Sequence, residues 1–101
     1  MLKTTRFDIA EHLDSPEVIA AYLAEVFADG TAAEIAHALG TVARAKGMTA
    51  IAKEAGLSRE GLYRALSQDG HPEFSTILKV MKALDVSLSV VAVQKVPEPA
   101  Q

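Results

Sequence analysis

The chain has 101 residues, half of them hydrophobic, with a formal net charge of −3 at pH 7 and no cysteine. This length fits one domain with a modest core and argues against a two-domain enzyme. The lack of cysteine excludes disulfides and thiolate metal sites. No apolar run approaches membrane-spanning length, and no signal peptide is visible, so the expected location is the cytoplasm.

The first part of the chain predicts an arm followed by two amphipathic helices. Residues 1–14 show no helical period and are expected to form an extended N-terminal arm. Ser15 and Pro16 are suited to cap and begin the first helix. Thr31 and Glu34 have the spacing of a capping box, which predicts the start of the second helix. The apolar positions at helical spacing are Ile19, Tyr22, Leu23, Val26 and Phe27, then Ile35, Leu39 and Val42.

Residues 48–67 read M-T-A-I-A-K-E-A-G-L-S-R-E-G-L-Y-R-A-L-S and predict two short helices joined by a tight turn. Thr49 is expected to cap the first helix and Ser58 the second, while Gly56 suits a left-handed helix stop. The small Ala52 lets the second helix cross closely over the first. This combination predicts a helix-turn-helix, which places its second helix in the DNA major groove.

The candidate DNA-binding residues lie on the outward face of the second helix and at the helix starts. Arginine can contact guanine and glutamate can accept from cytosine, while hydroxyls at helix starts suit phosphate oxygens. Residues 44–64 carry a net charge of +3 and residues 1–43 a net charge of −5, so positive charge is concentrated on this unit. A solvated helix that touches nothing is the alternative. The predicted set is Lys46, Thr49, Lys53, Ser58, Arg59, Glu60, Tyr63 and Arg64.

Two residues of this region, Tyr63 and Gly61, each have two possible roles. Tyr63 is expected either to pack beside Leu66 or to touch a phosphate. Gly61 is unfavourable in a helix interior by roughly 1 kcal/mol relative to alanine. Either close approach to DNA or packing against the preceding helix would account for it.

The C-terminal part predicts a turn, a helix and a strand. Residues 69–72, D-G-H-P, predict the turn, and Ser75 is expected to cap the last helix. Residues 86–93, V-S-L-S-V-V-A-V, predict a β-strand, which needs a partner for its backbone groups. A second copy of the chain or the N-terminal arm would supply one. Residues 94–101 are expected to be a flexible tail. The expected core residues of the last helix are Ile77, Leu78, Met81 and Leu84.

Catalytic chemistry is not indicated. His12, His37 and His71 have no i+4 partner that would suggest a metal site, and no glycine loop resembles a phosphate cradle. The sequence therefore predicts no enzyme, no cofactor and no metal.

Four blocks of the sequence form a recognisable pattern: F-D-I-A-E-H-L near the N-terminus, A-R-A-K-G-M-T at residues 43–49, residues 51–67, and L-K-V-M-K-A-L at residues 78–84. In these blocks the chain resembles the small addiction-module antidote proteins of the HigA-like type. This family is a branch of the Cro/phage-repressor helix-turn-helix proteins. Three positions depart from the family pattern. Ala50 replaces a glutamine, Gly61 a polar residue, and Asp85 a helix-ending glycine.

The resemblance implies a mainly α, five-helix Cro/phage-repressor-like helix-turn-helix domain over residues 15–85. The unpaired strand predicted at residues 86–93 is expected to serve dimerisation. It implies an antitoxin of a type II toxin–antitoxin module that binds a small basic toxin, usually a nuclease encoded beside it. It also implies repression of its own operon as a DNA-binding homodimer on a double-stranded operator. The alternatives are a solitary prophage-type transcriptional regulator and a protein-interaction module that has lost DNA binding.

Overall fold

The computed structural model describes residues 13–67 and 69–94. The helices in this part of the chain are α1 (Pro16–Asp29), α2 (Ala32–Lys46), α3 (Met48–Ala55), α4 (Arg59–Ala65) and α5 (Phe74–Ala83). The mainly α, five-helix prediction is therefore confirmed over these residues. The predicted N-terminal arm and tail lie outside the described residues, except for residues 13, 14 and 94.

The first two helices begin as their sequences predict. The Ser15 hydroxyl accepts a hydrogen bond from the Val18 backbone N–H at 3.2 Å, and Pro16 is the first helical residue. Thr31 and Glu34 form a reciprocal capping box, with bonds of 3.1 and 2.8 Å. These caps satisfy backbone donors that have no partner inside the helix. These two helix starts were predictable from the sequence because each cap joins residues only three positions apart.

Helix α3 begins differently from the prediction. Gly47, with φ 112°, occupies the N-cap position, and no side chain caps the helix. Thr49 therefore lies inside the first turn, and the prediction that it is the cap was wrong. Met48 is only 5% exposed, and its burial is consistent with the chain resuming the helix directly after the glycine. The expected left-handed stop is confirmed, since Gly56 has φ 73°.

Helix α5 also begins without the expected cap. Its N-cap residue is Glu73, whose side chain makes no capping bond, and Ser75 lies in the first turn. The prediction for Ser75 was wrong because the helix already begins at Phe74, two residues after Pro72. At the other end, Asp85 adopts φ 64°, and the Val86 N–H donates to the Met81 carbonyl at 3.0 Å.

The core lies where α3 packs against α5 and α4, and where α2 packs against α1 and α3. Leu78, predicted to belong to this core, is 42% exposed. The inward face of α5 carries the buried residues Ile77, Val80 and Met81. Leu78 lies outside that face and is turned toward solvent. The buried side chains include Leu13, Ile19, Leu23, Leu39, Val42, Ile51, Leu62, Leu66, Ile77, Val80, Met81 and Leu84.

The predicted strand at residues 86–93 is not formed within the part of the chain that the structure describes. Val86 packs against the core, but Val90 is 96% exposed. An isolated extended segment cannot satisfy its own backbone groups, and residues 13–67 and 69–94 offer it no neighbouring strand. None of the described helices is long and apolar enough to cross a membrane.

Candidate nucleic-acid interface

The pair of helices α3 and α4 is fixed to the core by one face of each. Ile51 and Ala52 of α3 are 4% and 2% exposed, and Leu62 of α4 is fully buried. The turn between them is closed by the Leu57 N–H, which donates to the Ala52 carbonyl at 2.9 Å. Because the inner face of α4 is buried, its remaining side chains are presented to solvent.

All eight predicted DNA-binding residues are exposed. Thr49 and Lys53 stand at i and i+4 on α3, so they share one face of that helix. Helix α4 carries four members of the set within its seven residues, at its start and its outward face. The set is distributed over the contacting helices α3 and α4, the cap residue before α4 and the end of α2. The members on α4 are Arg59, Glu60, Tyr63 and Arg64.

Arg59 and Tyr63 are in direct contact on α4. The guanidinium carbon of Arg59 lies 5.2 Å from the centroid of the Tyr63 ring. Arg59 Nη2 donates to the Tyr63 hydroxyl at 3.5 Å, which is close to the limit of a hydrogen bond. Tyr63 therefore lies under Arg59 and stays 40% exposed. Sequence reasoning missed this contact, although the i, i+4 spacing of an arginine and an aromatic residue was the available signal.

Gly61 supplies the backbone N–H that Ser58 caps. The Ser58 hydroxyl accepts from the Gly61 N–H at 2.9 Å, which confirms Ser58 as the cap of α4. A Cβ atom at Gly61 would lie 2.9 Å from that same hydroxyl oxygen. No atom of the preceding helix is within 4 Å of this Cβ position, so packing against that helix does not account for the glycine.

A groove of about 750 Å³ lies between α1 and α2, which precede the α3–α4 pair in the sequence. Its lining includes three carboxylate side chains together with Tyr22 and His37. The sequence analysis identified the acidic charge of this half of the chain but not the groove. Residues 13–67 and 69–94 contain no cluster of side chains suited to hold a metal ion. The three carboxylate residues are Glu25, Asp29 and Glu34.

Comparison with known proteins assigns the chain to a family. Residues 3–92 match the family described as "Probable addiction module antidote protein". The chain belongs to this family. A relative from Haemophilus influenzae (strain ATCC 51907 / DSM 11121 / KW20 / Rd), described as "Uncharacterized protein", is 52% identical over 84 residues. The aligned region covers 83% of this chain and 87% of the relative. No solved structure matches the chain.

Family membership confirms the prediction of an addiction-module antidote, whereas the HigA-like, Cro-type subtype stays a prediction. The match spans all five helices and every predicted DNA-binding residue. Membership in an antidote family supports an antitoxin role, implies a toxin as partner, and favours a regulatory protein over an enzyme.

Proposed function

We propose that this protein is the antitoxin of a type II toxin–antitoxin module, which neutralises a small basic toxin by binding it and represses its own operon as a DNA-binding dimer. The observation that carries the antitoxin role is the family match over residues 3–92. Repression and dimerisation are supported by separate features of the chain.

The proposal of DNA binding rests on α3 and α4. We propose that they form a helix-turn-helix of the Cro/phage-repressor type, with α4 in the major groove. Arg59 and Arg64 would then contact base edges and Glu60 a cytosine amine. Lys46 and Lys53 would contact phosphates, as the net charge of +3 over residues 44–64 favours. The hydroxyl groups of Thr49 and Ser58 are the further proposed phosphate contacts.

The proposal of a basic toxin rests on the opposite charge of the other half. Residues 1–43 carry a net charge of −5. Three carboxylates from this half line the groove between α1 and α2. Oppositely charged surfaces accelerate association and make it sensitive to salt. An acidic half and a basic helix pair therefore allow the toxin and DNA to be bound by different parts of one chain.

The proposal of a homodimer rests on residues 86–93. Their alternating, β-branched sequence lacks a strand partner within the described residues, and Val90, Val91 and Val93 are highly exposed. Two copies related by a two-fold axis would pair these segments antiparallel and remove one open edge from each. The same axis would set two copies of α4 about 34 Å apart, one turn of DNA.

Co-expression with the short reading frame next to this gene tests the antitoxin role. We expect the neighbouring product alone to arrest growth, and co-expression of this chain to restore growth and to give a complex that co-purifies. Band-shift measurements on the DNA directly upstream, against a scrambled duplex of equal length, test repression. Rescue without preferential DNA binding contradicts the repressor role. Preferential binding with no toxic neighbour indicates a solitary regulator instead.

A further inference from the structure

The contact between Arg59 and Tyr63 constrains a side chain that would otherwise move in solvent. Both residues are exposed, one turn apart on α4. Holding the arginine side chain in one geometry costs rotamer entropy. A contact over an aromatic face offsets part of that cost. Part of that ordering is therefore complete before any ligand binds.

The geometry leaves the recognition chemistry of Arg59 available. A guanidinium carries five N–H donors, so one bond to a tyrosine hydroxyl leaves the others available. Among residues 13–67 and 69–94, its recorded hydrogen bond is the long one from Nη2 to the Tyr63 hydroxyl. The remaining donors suit the two acceptors that guanine presents in the major groove. Arg64, on the same helix, has no aromatic ring recorded beneath it in this part of the chain.

We propose that Tyr63 is a positioning residue that holds Arg59 for bidentate contact with a guanine in the operator. The pair, rather than Arg59 alone, then sets the preference for that base pair. This inference rests on the proposed DNA binding and adds to it a specific base and a residue that acts through another. It also distinguishes Tyr63 from a simple phosphate contact, which would strengthen binding to every sequence alike.

The test begins with a selection of preferred duplexes from a random DNA pool. Affinity is then measured on the selected duplex and on a variant in which the guanine assigned to Arg59 is replaced. The full-length chain is compared with Tyr63→Phe, Tyr63→Ala, Arg59→Ala and Arg59→Ala/Tyr63→Ala. We expect Tyr63→Ala to lower the preference for the guanine about two- to fivefold, as an exposed cation–π contact implies. Tyr63→Phe keeps the ring and should retain the preference. In the Arg59→Ala background, Tyr63→Ala should have no further effect.

Each other result overturns the proposal, in a way that separates it from the proposed function. If the wild-type chain prefers no duplex, operator binding itself fails and the positioning role falls with it. If the wild-type chain is selective but Tyr63→Ala keeps the same guanine preference, only the positioning role fails. A loss of similar size on all duplexes, persisting in the Arg59→Ala background, identifies Tyr63 as a phosphate contact. Circular dichroism verifies that each variant is folded, as its exposed position leads us to expect.

Discussion

Gly40 of α2 lies against Leu66, the residue that ends α4. A Cβ atom at Gly40 would lie 3.1 Å from the Leu66 carbonyl oxygen and 3.5 Å from the Leu66 Cβ. Both residues are buried. A glycine inside a helix costs roughly 1 kcal/mol relative to alanine. At position 40 a side chain would crowd the Leu66 backbone.

Gly40→Val tests this packing. A branched side chain must displace the Leu66 carbonyl, so we expect the free energy of unfolding to fall by about 1–3 kcal/mol, measured by urea denaturation. Ala45→Val is the matched control, because Ala45 is exposed on the same helix. Its expected loss is below about 1 kcal/mol and reflects helix propensity alone. Equal losses for the two variants would show that the approach of Leu66 does not constrain position 40.

Among the non-glycine residues that the structure describes, Asp85 alone has a positive φ, at 64°. Side chains other than glycine adopt this left-handed conformation at a cost, although aspartate tolerates it better than most residues. We expect Asp85→Gly to raise the free energy of unfolding by about 0.5–1 kcal/mol and Asp85→Ala to lower it. Thermal and urea denaturation measure both. A less stable Asp85→Gly variant would contradict this account of the end of α5.

Ser58 and Thr49 provide a matched pair for helix capping. Ser58 accepts a hydrogen bond from the Gly61 N–H, whereas Thr49 lies within α3 and does not cap it. Ser58→Ala should therefore cost about 1 kcal/mol in the free energy of unfolding. Thr49→Ala should stay within about 0.5 kcal/mol of the wild type. A larger loss for Thr49→Ala than for Ser58→Ala would reverse the assignment of the two caps.

Arg64 and Lys53 should affect DNA binding differently. If Arg64 reads a base, Arg64→Ala should cost about 1–3 kcal/mol on the selected duplex and little on a scrambled one. Lys53→Ala should weaken both duplexes similarly and reduce the slope of log affinity against log salt by about 0.9 for the lost phosphate contact. Fluorescence anisotropy over a salt series measures both. Wild-type affinity in an Arg59→Ala/Arg64→Ala double variant would refute the assigned interface.

The oligomeric state tests the role of residues 86–93. Truncation after Ser87 keeps Val86, whose N–H donates to the Met81 carbonyl and whose side chain packs on the core. We expect light scattering to give a dimer for the full chain and a monomer for the truncated one. Circular dichroism is the control for folding of the shortened chain. A truncated dimer rules out this segment as the main interface, and a monomeric full chain rules out the dimer.

Sequence alone predicted the features that depend on neighbours a few residues apart. The Thr31–Glu34 capping box and the Ser15 and Ser58 caps each join a side chain to a backbone group three residues away. The left-handed conformation at Gly56 is equally local, because it depends on the absence of a Cβ. The order of the helices was predicted from apolar spacing and caps. Membership of an antidote family was predicted from short sequence blocks.

Tertiary structure alone decided which of several locally plausible choices holds. Thr49 has the chemistry of a cap, yet the buried Met48 lies one residue earlier and already belongs to the helix. Leu78 is as apolar as Val80, but only Val80 faces the core, because helix rotation is set by packing across the chain. The Gly40–Leu66 approach joins residues far apart in sequence. A strand, finally, requires backbone partners from outside its own segment, and a β-branched pattern at residues 86–93 cannot supply them.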